Sequence, residues 1–227
     1  MNIKKIFTAT AVIASLAVSV AAQAATPYVE GQLGFANLDN VDTNSYSGTS
    51  GSVTVTGLRA NLDYDSSATY GAEFGFKDVI DPGLRIAVSI STMKFDLNSA
   101  QINGVITNGS TTYTGPVTVT AANLASVGAN FDNRVNLYML NAYYDFKTST
   151  DFTPFVGFGI GLADIKNAKD TEFAYSVNAG AKYNIDKNVY VGAKGAYTRV
   201  NGPTDQLGIK FQDIAVYSAN VSIGYEF

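Results

Sequence analysis

At 227 residues, with 15 basic and 19 acidic side chains and a net charge of −4, the chain is long enough for one domain or two small ones, and its charge argues against nucleic acid as a partner. It has no cysteine, which removes disulfides, thiol catalysis and thiolate metal sites, and no histidine, which removes the commonest general base and metal ligand. Tyr 14, Phe 13 and Gly 21 against Pro 5 suit strands and loops better than long helices.

The N-terminus reads Met-Asn-Ile-Lys-Lys, then an apolar run from Ile6 to Ala22, then Ala22-Gln23-Ala24. A basic start, a short apolar core and an A-x-A site predict a secretory signal peptide over residues 1–24, cleaved after Ala24. With Lys4 and Lys5 removed, residues 25–227 carry 13 basic and 19 acidic side chains, net −6. No later run is long enough for a transmembrane helix, so a membrane-spanning form of this chain has to be a closed barrel.

Eight alternating segments follow, separated by turns. Tyr28–Ala36 places Val29, Leu33 and Phe35 opposite Glu30 and Gln32. Thr69–Lys77 sets Tyr70, Ala72, Phe74 and Phe76 against Gly71, Glu73, Gly75 and Lys77, and Asp81-Pro82-Gly83 makes a tight turn. Leu84–Phe95 sets Leu84, Ile86, Val88 and Ile90 against Arg85, Ala87, Ser89 and Ser91. Arg134–Phe146 separates Tyr138, Leu140, Ala142, Tyr144 and Phe146 from Met139, Asn141, Tyr143 and Asp145. Pro154–Ala163 opposes Val156, Phe158, Ile160 and Leu162 to Gly157, Gly159 and Gly161. Glu172–Asn184 and Val189–Arg199 continue the pattern, bringing Lys182 and Lys194 onto the polar face. The last segment, Ile214–Phe227, carries Tyr217, Val221, Ile223, Tyr225 and Phe227 on one face and Ser218, Asn220, Ser222, Gly224 and Glu226 on the other. Such a period-two contrast fits strands with one face in an apolar medium and the other in a polar interior.

Connections after the even segments are short, whereas two after odd ones are long, about residues 37–68 and 96–133. That asymmetry fits an outer-membrane barrel with short periplasmic turns and two long extracellular loops. The pair Asn141-Ala-Tyr-Tyr-Asp-Phe146 and Pro154-Phe-Val-Gly-Phe-Gly-Ile-Gly161 resembles the opacity-type, outer membrane protein A-like family of eight-stranded outer-membrane β-barrels. The resemblance implies an all-β, up-and-down antiparallel barrel over residues 25–227, located in the bacterial outer membrane of a Gram-negative cell, with no peptidoglycan-binding domain. It also implies contact with outer-membrane lipid and lipopolysaccharide. Val221, Ile223, Tyr225 and Phe227 would form the aromatic terminal signal read by the barrel-assembly machinery.

With the apolar faces in lipid, Glu30, Glu73, Asp145 and Glu226 point inward against Lys77, Arg85, Lys182 and Lys194. Buried charges persist only when paired, so four acids and four bases predict a network that plugs the short-turn end. An ion path is the weaker alternative, because eight strands enclose little more than their own side chains. Gly157, Gly159 and Gly161 mimic a phosphate loop, but no helix follows. They are read as making room inside the barrel, facing Tyr143.

Asp39, Asp42, Asp63 and Asp65 lie in the first long connection without Ca²⁺-loop spacing and are read as solvated surface. Gly51-Ser-Val-Thr-Val-Thr56 and Gly115-Pro-Val-Thr-Val-Thr120, one in each long connection, are expected to extend hairpins beyond the membrane and to pair there. The leading expectation is a non-enzymatic surface protein, adhesin-like or an opacity-type surface antigen, whose loops meet a host or environmental ligand or support the envelope. The alternative is a small porin-like conduit or a lipid-binding barrel with a cavity among Ser89, Ser176, Asn178 and Thr198. Outer-membrane barrel enzymes resemble one another in needing a histidine, so catalysis is not expected, and neither is a cofactor or metal.

Overall fold

The alternating segments become strands because each can bury one set of side chains in the lumen and hand the other to an apolar surround. The computed structural model describes residues 25–39, 41–126, 133–166, 168–205 and 208–227, so the segment read as a signal peptide lies outside the described residues. Eight long strands carry the barrel: β1 (Thr26–Leu38), β5 (Ser67–Lys77), β6 (Leu84–Phe95), β10 (Asn133–Asp145), β11 (Phe152–Ile165), β12 (Glu172–Asn184), β13 (Val189–Val200) and β14 (Ile214–Glu226). All neighbours are antiparallel, and the sheet closes when β14 pairs with β1 in a register that sets Tyr28 opposite Glu226. Closure removes both edges of the sheet. The last strand stops at Glu226, one residue short of the expected Phe227, although the Phe227 amide still bonds to the Pro27 carbonyl at 3.0 Å.

The outward face is the apolar one. Phe35 (72% exposed), Leu33 and Val221 (each 65%) and Ile223 (60%) have no protein neighbour to cover them. A continuous belt of that kind is untenable in water and suits hydrocarbon. Aromatic pairs such as Phe74–Phe76, Tyr144–Phe146 and Tyr225–Phe227 stack edge to face near the short-turn end, where an interfacial girdle belongs.

The two long connections fold into a sheet of their own. It consists of β2 (Val41–Asp42), β3 (Tyr46–Ser50), β4 (Val53–Tyr64), β7 (Leu97–Asn108), β8 (Thr111–Thr114) and β9 (Val117–Thr120), followed by a short helix α1 (Ala121–Ser126). The two Val-Thr repeats do not pair with each other, contrary to expectation. Val53–Thr56 pairs with Val105–Asn108 of β7, and Val117–Thr120 pairs with Ser99–Ile102 of the same strand. β7 offers two edges, so each repeat takes one. We call this sheet the roof. Its inner face, with Leu62, Tyr64, Leu97 and Ala100, packs onto Phe95, Val135, Leu137, Ala163, Val200 and Val216 in the mouth of the barrel.

Candidate functional site

The lumen is built in three layers, and each follows from which inward positions fall at which height. At the short-turn end lie the charges. Arg85 on β6 bonds through Nε to Asp145 at 2.9 Å, and Lys182 on β12 reaches the other Asp145 oxygen at 2.8 Å. Lys182 also lies 3.7 Å from Glu226, whose second oxygen bonds to Lys77. Lys194 on β13 lies between Glu73 at 3.5 Å and Glu30 at 4.0 Å. The structure thus brings all eight inward charged residues together. They form a five-residue group and a three-residue group.

Tyrosines join the two groups. The Tyr28 hydroxyl donates to Glu73 at 2.7 Å and lies 3.3 Å from Arg85 Nη1, so it bridges them. Tyr143 donates to the other Glu73 oxygen at 2.7 Å, and Tyr190 donates to Glu30 at 2.9 Å. The Arg85 guanidinium stands 4.5 Å from the Tyr143 ring centre, 4.9 Å from Phe155 and 5.4 Å from Tyr28. A caged, desolvated guanidinium gains about 2 kcal/mol from such faces. Sequence reasoning placed Tyr143 inside but passed over Tyr28 and Tyr190. Their parity with Glu30 and Lys194 was the available signal.

Every buried aromatic of this layer faces a glycine across a strand pair. Tyr28 is opposite Gly75, Tyr143 opposite Gly157, Phe155 opposite Gly180, and Tyr190 opposite Gly224. A Cβ built on any of these glycines would come within 2.7 Å of the facing ring. Glycine on one strand therefore makes the space that the ring on the next strand fills. Only Gly157 of the G-x-G-x-G run faces Tyr143. Gly159 faces Asn141 and Gly161 faces Met139, because successive inward residues meet successive partners along the neighbouring strand.

Above the charges is a polar layer containing Gln32, Asn141, Ser176, Asn178 and Thr198, all buried. Asn141 donates to Ser89 at 2.9 Å, and Asn178 to Ser176 at 3.2 Å. Thr198 stands opposite Ser176 across β12 and β13, so Ser89, Ser176, Asn178 and Thr198 all fall in this polar tier. The third layer is apolar and runs without a break from Met93, Leu137 and Met139 into the inner face of the roof.

The roof's outer face is polar because the alternation continues: Arg59 pairs with Asn103 and Asn61 with Gln101. With Asp42 and Gln212 these residues line an open depression of about 500 Å³. Asn61 donates to Asp42 at 2.8 Å, and the Gln212 amide donates to the Asp42 carbonyl at 2.8 Å, which ties the connection before β14 to the roof. Among the described residues, no cluster of Asp or Glu has the make-up of a metal site. Asp39, Asp42, Asp63 and Asp65 are not gathered into one.

A closed eight-stranded barrel with an apolar exterior and a filled interior defines an integral protein of the bacterial outer membrane. Residues 8–227 match the outer membrane protein beta-barrel domain family, and the chain belongs to that family. It is similar to outer membrane protein PagN of Salmonella typhimurium, with 35% identity over 89 residues, 31% of this chain and 37% of PagN. It is also similar to protein opa of Haemophilus influenzae, with 31% identity over 94 residues, 37% of this chain and 73% of that protein. The match thus spans little more than a third of PagN. The crystal structure of Neisserial surface protein A shares the fold at a TM-score of 0.57 and 15% identity, covering 90% of this chain and 100% of that one.

Proposed function

We propose that this chain is a non-enzymatic surface protein. Its barrel is a closed anchor, and its two long connections are held outside the cell as a contact surface. The observation that carries the reading is the double stopper. An ionic layer crosses the lumen at one end, and an apolar layer continuous with the roof crosses it at the other. A protein built to conduct would leave both of these open, and eight strands leave no spare width for a path around them.

The long connections supply what the barrel does not. The roof's outer face offers Arg59, Asn61, Gln101 and Asn103, and its margins offer Tyr46 and Tyr113, exposed by 64% and 65%. Planar amide, guanidinium and phenol groups of this kind are well suited to recognising another surface. PagN, named above, is an outer membrane protein, which supports the setting. Residues 1–24 serve as the export signal, the short turns face the periplasm, and the terminal aromatic strand is the feature recognised during assembly.

The test is a pair of roof deletions, residues 39–64 and 98–120, each replaced by a tight turn in cells that display the protein. Loss of binding to epithelial cells or extracellular matrix, with barrel level unchanged, supports the reading. Binding that survives both deletions removes it.

A further inference from the structure

The outside of the barrel changes character within three steps of chain at the long-connection end, and it does so in register on three adjacent strands. Ile90, Tyr138 and Leu162 form one outward row across β6, β10 and β11. The next row is Thr92, Asn136 and Asp164. The row beyond is Lys94 opposite Arg134, with Lys166 alongside, its amide bonded to the Arg134 carbonyl at 2.8 Å. Apolar, polar and cationic rows thus succeed one another along the strands, as the boundary between hydrocarbon, headgroup and water demands.

Three features set the cationic row apart. All three side chains are exposed and point to the lipid side, since Met93, Val135 and Ile165, the residues next to them, point inward and are buried. None of the three has an ion pair within 4 Å among the described residues, whereas Arg199, on the same rim, lies 3.4 Å from Asp213. In the chain as a whole acids outnumber bases, yet these last two rows hold three bases and one acid, Asp164. Thr92 Oγ1 donates to the Asn136 side-chain oxygen Oδ1 at 2.9 Å, so the two uncharged residues of the middle row are joined beneath the cations.

We infer that Lys94, Arg134 and Lys166, with Asn136 below them, form a binding site for the phosphates of the outer-leaflet glycolipid on the outside of the barrel. Three adjacent strands span roughly 10 Å, so the row presents a line of cations rather than one point. A diglucosamine headgroup with a phosphate at each end is also a line of charge, and its acyl chains would lie along Ile90, Tyr138 and Leu162. Arg134 supplies the planar fork for one phosphate, and the two lysines supply point charges. The inference rests on the outward orientation of the long connections proposed above.

The test uses the full-length protein refolded in detergent and captured on an affinity support. Three probes are offered separately in phosphatidylcholine micelles: bisphosphorylated lipid A, the same lipid A with its phosphates removed, and phosphatidylglycerol. The wild type should retain bisphosphorylated lipid A at least about tenfold over the other two. The combined variant Lys94→Gln, Arg134→Gln, Lys166→Gln should lose that preference, since each cation near an anionic lipid surface contributes of the order of a factor of five. A control, Lys147→Gln with Lys187→Gln at the opposite end, should retain it. Heat-modifiable gel migration verifies that each variant is folded. Equal retention by the wild type and the triple variant, or equal retention of the dephosphorylated lipid, overturns the site. Equal retention of phosphatidylglycerol overturns its assignment to the glycolipid. Protease treatment of intact cells separates the two levels: cleavage in the long connections with unaltered lipid retention sinks this inference alone. Cleavage confined to the short turns sinks the orientation beneath it.

Discussion

Tyr190 and Gly224 face each other across β13 and β14, and the ring fills the volume that a side chain on residue 224 would occupy. A Cβ built on Gly224 would stand 2.1 Å from Cζ of the ring. The same hydroxyl end donates to Glu30. One glycine thus positions an aromatic that holds a charged residue in the plug. Replacing Gly224 with Val should therefore cost about 1 to 3 kcal/mol, the usual range for overpacking a filled interior. Urea titration of the protein in lipid vesicles measures it. Adding Tyr190→Ser should recover part of the loss, and a double variant no better than Gly224→Val would contradict the pairing.

Glu73 receives Tyr28, Tyr143 and Lys194 and is the most heavily bonded acid in the lumen. Glu73→Ala leaves Lys194 beside the Tyr143 hydroxyl at 3.4 Å, with the more distant Glu30 at 4.0 Å as its remaining carboxylate. Removing one member of a buried pair costs about 3 to 5 kcal/mol, because the other charge stays buried. Glu73→Ala combined with Lys194→Ala should cost less than the sum of the two single changes, by about 1 kcal/mol or more. Strict additivity in urea titrations would show that the two residues do not act as a pair.

Much of this could be read from the chain, and the boundary is instructive. Period-two contrast located eight strands, because a barrel wall has two different solvents on its two sides and each residue must choose. The same parity collected Glu30, Glu73, Lys77, Arg85, Asp145, Lys182, Lys194 and Glu226 on the inner face. It did not reveal which of them touch. That depends on the stagger between strands, which decides that Tyr28 meets Gly75 and that Gly159 meets Asn141 rather than Tyr143. The roof was harder still. β4 and β7 join segments from different connections, so no local turn announces the pairing, and two near-identical Val-Thr repeats had β7 available on either edge.

The roof itself should be separable from the barrel. Its inner face shares the apolar layer with Leu137, Val135 and Phe95, and a charge placed there would lie between two apolar surfaces. Leu62→Lys should loosen the roof, raising protease cleavage within residues 39–64 several-fold while the barrel retains its heat-modifiable migration. Loss of both together would mean that roof and barrel fold as one unit.

Phe227 lies past the last strand bond to β13, and its amide closes the seam onto Pro27. Its 65% exposed ring contributes little to the interior. Deleting it should lower the amount inserted in cells several-fold, while refolding of the purified protein into vesicles proceeds to nearly the wild-type yield. Normal insertion of the truncated chain in cells would count against its role in assembly.

A barrel shut at both ends carries no current, and single-channel recording of the purified, refolded protein in a planar bilayer reads this out. The ionic layer and the apolar layer beneath the roof predict a flat current with no stable conductance steps across the usual range of voltage. Reproducible steps from folded wild-type protein, lost on unfolding, would contradict it.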